Sequence, residues 1–117
     1  MKENNQIAID SKKYAIRIVN LYKYLNDVKK EYVMSRQILR SGTSIGANIS
    51  ESVFAQSRQD FVSKLSISLK EASETKYWLE LLYESEYINE ALFHSLSNEL
   101  SIIIGTTINI INKLNKK

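Results

Sequence analysis

The sequence predicts an all-α protein, an antiparallel up-down-up-down four-helix bundle, from two scarcities and one repeating pattern. Its 117 residues include no proline and three glycines, although average usage of about 5% Pro and 7% Gly would supply several of each. Sheets need turn residues roughly every 8 to 12 positions, whereas long helices need few. The pattern is a recurrence of apolar residues at i, i+3 and i+4 through four long stretches, the spacing that places them on one helical face. With 44% hydrophobic and 25% charged residues, the composition is that of a folded chain.

The first helix is expected over 10–28, with Asp10 as N-cap and a stripe of Tyr14, Ala15, Ile18, Tyr22 and Leu25. The second, over 35–52, takes Ser35 as N-cap and carries Ile38, Leu39, Ile45 and Ile49 among small residues. Gly42 and Gly46 each cost about 1 kcal/mol relative to Ala in a helix interior, so tertiary packing must supply the difference. Small side chains there let another backbone come close. The third helix, over 57–86, opens at Ser57 with Asp60 at the capping-box spacing and repeats Phe61, Leu65, Leu69, Ala72, Leu79 and Leu82. The fourth, over 89–115, starts at Asn89 and ends in Lys113, Lys116 and Lys117, which complement the helix dipole. Connections of a few residues favour antiparallel neighbours within one domain spanning 1–117. The fourth helix has a wide apolar arc (Ile102, Ile103, Ile104, Ile108, Ile110, Ile111), which calls for a second subunit as cover or for a central place in its own bundle.

Several functions lack their chemistry. Zero cysteines remove thiol catalysis, Cys-based zinc sites and disulfides, and point to a reducing compartment, by default the cytoplasm. Met1 is followed by KENNQ and the longest apolar runs are too short to span a bilayer, so neither a signal peptide nor a membrane span is expected. His94, the single histidine, has Glu90 four residues before it, which is no metal site without further ligands. No phosphate-loop, dinucleotide, zincin or hydrolase-elbow motif occurs. Glu71, Glu74, Glu80, Glu84 and Glu86 beside Lys70 and Lys76 read as a solvated helix face. No catalytic residue, metal or cofactor is therefore expected.

Charge is unevenly spread around a net value of +3. Residues 1–40 hold nine basic groups against four acids, residues 41–112 hold four against nine, and three lysines close the chain. Lys12, Lys13, Arg17, Lys23, Arg36 and Arg40 are the candidates for gripping a phosphate backbone of RNA or DNA, with Tyr14, Tyr22, Tyr24 and Tyr32 as rings on which bases stack. The rival expectation is a scaffold for a protein partner.

The second helix also carries a polar line. Ser44, Asn48 and Glu51 lie at i, i+4 and i+7, and Arg40 sits one turn before Ser44. Such a line fixes register as a buried network between helices or subunits, which is the preferred reading, or forms a recognition surface. The stretch Gln37-Ile38-Leu39-Arg40-Ser41-Gly42-Thr43-Ser44-Ile45-Gly46-Ala47-Asn48-Ile49-Ser50-Glu51 resembles the pattern Q-I-x-R-(small)3-S-I-x-x-N-I-x-E. That pattern belongs to the four-helix-bundle proteins encoded in intervening sequences of bacterial 23S rRNA genes, also labelled S23 ribosomal protein-like. Ser57-x-x-Asp60-Phe61, Leu65-x-Ile67 and Glu74 match the same family's third helix. The resemblance implies a cyclic homo-oligomer, typically a pentamer, with no enzymatic activity. It also implies similarity in fold to the accessory variability determinant of diversity-generating retroelements, a basic protein that works with nucleic acid. Leu39, Gly46 and Ser52 depart from the pattern, and Leu39 removes a basic group common at that position.

Overall fold

The computed structural model describes residues 2–116. Four helices account for nearly all of them: α1 (Lys2–Asp27), α2 (Met34–Ser52), α3 (Arg58–Glu84) and α4 (Glu90–Asn115). Each packs on its two neighbours in sequence order, α1 closing the ring on α4, in a rod 49 × 22 × 19 Å. Asn4 and Ile7 near the start of α1 share a cavity with Ile49 near the end of α2, Phe61 near the start of α3 and Leu114 at the end of α4. Neighbouring helices are therefore antiparallel, in the expected up-down-up-down order. No described helix is long and apolar enough to cross a membrane.

α1 begins eight residues before Asp10, because KENNQIAI contains no breaker and Ile7, buried, extends the stripe of Tyr14, Ile18, Leu21 and Leu25 by two turns. Asp10 is not a cap. Its carboxylate accepts a hydrogen bond from Gln6 Nε2 at 2.9 Å inside the helix. Ser35 does not cap α2 either. Glu31, only 8% exposed, folds its carboxylate over the helix start and accepts from the backbone N–H groups of Val33, Met34 and Ser35 at 2.8–3.0 Å. A carboxylate with two oxygens serves three orphan donors, and its charge complements the dipole, which a serine hydroxyl cannot match. Ser35 sits buried in the first turn and donates to the Glu31 carbonyl instead.

The other caps follow the sequence. Ser57 Oγ accepts from Asp60 N–H and Asn89 Oδ1 accepts from Leu92 N–H. Asp60 reaches back one residue further than a capping box requires, to the N–H of Gln56 at 3.1 Å. α3 stops at Glu84 rather than 86 because Glu86 turns left-handed (φ 68°). The N–H groups of Glu86 and Tyr87 then close on the carbonyls of Tyr83 and Leu82.

Packing overrides propensity in α2. A Cβ at Gly42 would lie 2.8 Å from both γ-carbons of Ile18, and one at Gly46 would lie 3.2 Å from the Ser11 carbonyl oxygen. Leu69 is half-buried rather than core, since the α3 stripe runs through Leu65, Ser68, Ala72, Thr75, Leu79 and Leu82. The apolar arc of α4 is divided: Ile103 and Ile110 are buried, but Ile102 is 62% and Ile108 41% exposed. α4 is thus not enclosed by its own bundle.

Candidate nucleic-acid interface

Lys12 and Lys23 are exposed on α1, eleven residues apart. Three helical turns bring them back to nearly the same outward direction, about 16 Å apart along the axis. Lys12 borders a groove between α1 and α2 whose floor is Ala8, Ala15, Thr43, Gly46 and Ala47. The absence of bulk that lets the helices approach also keeps this floor shallow. Arg36, exposed in the first turn of α2, lies two turns before Thr43 and so on the α2 face that lines this groove, which extends the basic strip. Lys13 turns toward the other flank and borders the α1–α4 groove with Asp10, Glu99 and Ile102. None of these four cations forms a salt bridge among the described residues. Asp27, one turn after Lys23, is the exposed acid on the strip.

Two candidates are engaged elsewhere. Arg17 donates to Glu99 at 2.6 Å and to Ser95 at 2.9 Å, joining α1 to α4. Arg40 reaches across to α3, donating to Glu74 at 2.6 Å and Glu71 at 3.2 Å. The hydrogen bond to Glu74, and then that to Glu71, raise the affinity of the Arg40 guanidinium for its proton. Glu74 is held below the ordinary carboxyl range, first by the indole N–H of Trp78 at 3.0 Å and then by Arg40. Both arginines are paired with carboxylates of a neighbouring helix, in interhelical locks rather than in the open strip.

The rings also divide. Tyr14 is fully buried in the core, its hydroxyl pushed well up in pKa by burial and then by nearby Glu99, so it is not a stacking surface. Tyr22 is half-buried, whereas Tyr24 and Tyr32 are exposed. The acidic half of the charge pattern lands elsewhere: Glu80, Glu84, Glu86 and Glu90 are exposed on α3, α4 and their turn. The start of α1 and the end of α4 meet, as a joint basic surface requires, while Lys117 lies outside the described residues.

The polar line does not form the expected network within the chain. Ser44 and Asn48 bond back to the carbonyls of Arg40 and Ser44, one turn earlier on α2. Beside Arg40, it is Glu51 that crosses to α3, where Lys64 Nζ lies 3.5 Å away. Ser and Asn side chains in a helix readily take their own i−4 carbonyls, and this competes with pairing across a seam. The crossing is made one position away instead. The hydroxyls of Ser41 and Thr75 are hydrogen-bonded at 2.9 Å, and Ser68 Oγ donates to the Ile45 carbonyl at 2.9 Å, all buried. Their signal lay in the spacing of Ser68 and Thr75, a heptad apart in the middle of an apolar stripe. His94 and Glu90 form an exposed pair at 3.5 Å, and no group of metal-ligating residues comes together among the described residues.

A four-helix bundle with a basic α1–α2 flank, an acidic α3–α4 side and a motif helix locked to α3 by an arginine and two carboxylates is the class that fold and site define. The family model for 23S rRNA-intervening sequence protein matches residues 3–109, and the chain belongs to that family. It is also similar to a solved structure of a protein of unknown function from the S23 ribosomal protein family of Bacteroides thetaiotaomicron VPI-5482. The two are 55% identical with a TM-score of 0.93, over 94% of this chain and 98% of that one. Among curated proteins none matches.

Proposed function

We propose that this protein binds the phosphate backbone of RNA or DNA along its α1–α2 flank, through Lys12, Lys23 and Arg36 with Lys13 at the edge. It does so as a cytoplasmic, self-associating protein without enzymatic activity. The observation that carries the reading is a strip of exposed cations that form no salt bridge among the described residues, beside a groove floored by small residues. Arg17 and Arg40, named with them from the sequence, are paired with carboxylates of neighbouring helices. The exposed isoleucines of α4, Ile102 and Ile108, support self-association, and the family resemblance suggests a ring, typically of five copies. Such a ring multiplies the basic strip.

Fluorescence anisotropy against structured RNA, duplex DNA and single strands tests the reading, with mass by light scattering on the same sample. Log affinity should fall linearly with log salt, because each neutralised phosphate releases counterions. Replacing Lys12 and Lys23 together by Glu should lower affinity by tenfold or more at low salt, roughly the effect of losing and repelling two phosphate contacts, while Arg40→Ala leaves the salt slope unchanged. No binding at low salt sinks the proposal in favour of a protein partner.

A further inference from the structure

The outer face of α4 stands apart from the other helices in carrying no charge over most of its length. Every exposed position from 98 to 112 is asparagine, serine, glycine or isoleucine. Between His94 and Lys113 the one charged residue is Glu99, and Arg17 pairs with it at 2.6 Å. Over a similar length α3 exposes Lys70, Lys76, Glu80 and Glu84. A face turned permanently to water ordinarily carries such charges, whereas the core of a protein interface is depleted of them. At the middle of the uncharged stretch lies Gly105, with nothing within 4 Å of a would-be Cβ. Ile102 and Ile108 stand three residues to either side, turned about 60° from it in opposite senses, and are 62% and 41% exposed. The face is thus a notch between two apolar ridges.

Such a face is complementary to itself. In a two-fold contact each residue near the axis meets its own copy or a close neighbour of it, so a lysine or a glutamate there repels its like. Isoleucine meets isoleucine without that penalty, and the Ser101 hydroxyl and the amides of Asn98, Asn109 and Asn112 can each donate and accept. A lipid surface would leave those amides without partners in hydrocarbon. α4 runs along a side of the rod measuring 49 × 22 Å, roughly 1,100 Å², above the roughly 800 Å² per partner of a stable interface. We propose that two copies of this chain pair through their outer α4 faces, about a two-fold axis near Gly105. Each backbone lies in the other's notch, between Ile102 and Ile108, where the glycine permits close approach. The contact rests on the self-association proposed above and gives it a surface and a symmetry. It joins two single copies, or two rings, and does not use the α1–α2 strip.

Light scattering on the full chain gives the number of copies, which should be even, and circular dichroism checks that each variant is folded. Ile102→Lys combined with Ile108→Lys, both at exposed positions, should halve the mass, because lysines from both copies then crowd one axis. The chain has no cysteine, so Gly105→Cys supplies one thiol per copy beside the axis. A disulfide needs Cα atoms about 4.4–6.8 Å apart. Under mild oxidation this variant should therefore link into pairs and no further, while Ser63→Cys, at an exposed position of α3, links only slowly. An odd number of copies leaves self-association standing and overturns the two-fold contact. So does an unchanged mass in the double-lysine variant, or a Gly105→Cys protein that links no faster than Ser63→Cys. A single copy at millimolar concentration overturns self-association and this contact together.

Discussion

α2 is held on its two sides by opposite means. Toward α1 the seam is steric: Gly42 and Gly46 leave room that Ile18 and the Ser11 carbonyl fill. Toward α3 it is polar, with Ser41 paired to Thr75 and Ser68 to the Ile45 carbonyl in the interior, and Arg40 clamped by Glu71 and Glu74 at the surface. One seam is specified by what its residues lack and the other by what they donate and accept. A close-packed contact fails abruptly when volume is added, whereas a polar contact degrades in proportion to burial.

The largest expected effect is therefore on the glycine side. Gly42→Val should destabilise the protein by about 3 kcal/mol, since overpacking a tight seam costs that order and the β-branched neighbour Ile18 has little freedom to yield. Chemical denaturation measures it, and adding Ile18→Ala should recover part of the loss. Full additivity of the two changes would show that the seam is not the cause.

On the α3 side, Thr75→Val leaves the Ser41 hydroxyl without its buried partner and should cost about 1–2 kcal/mol. Combining it with Ser41→Ala should cost less than the sum of the single changes, because neither orphan then remains. Gly105, which has nothing within 4 Å of a would-be Cβ, provides the contrast to Gly42. Gly105→Ala should stabilise by up to about 1 kcal/mol through helix propensity alone.

The smallest effect belongs to the surface clamp. Arg40 is 52% exposed, so Arg40→Ala should cost under about 1 kcal/mol, less at high salt. Its pH signature is more specific. Glu74 has a lowered folded-state pKa, so it contributes stability above its ordinary value of 4.5 and loses that contribution as pH falls through the folded value. Urea midpoints of the wild type and Glu74→Gln should therefore differ at pH 6 and draw together as pH falls below 4.5. A gap that stays constant from pH 6 to the acid unfolding of the protein excludes the carboxylate as its source.

Much of the fold was legible because it depends on local pattern. Ser57 and Asn89 cap as their spacing predicts, and the apolar stripes found much of the core in all four helices, though Tyr22 and Leu69 are half-buried and Ile7 lay outside the expected first helix. Asp10 and Ser35 misled because capping residues are common inside helices and because Glu31, outside any motif, reaches over the start of α2 from the preceding turn. Lys12, Lys23 and Arg36 were identifiable as basic residues, but nothing local distinguishes them from Arg17 and Arg40. Their difference is whether a carboxylate from another helix lies within reach, and that depends on pairs 31 to 82 residues apart.

The sequence by itself determined the helix count, the helix order, the family and the asymmetry of charge, since periodicity, scarce breakers and a motif are one-dimensional properties. Tertiary structure decided which cations are open and which polar residues lock α2 to α3. Those outcomes depend on distance between helices, which is set by side-chain volume at the seams and is not written at any single position.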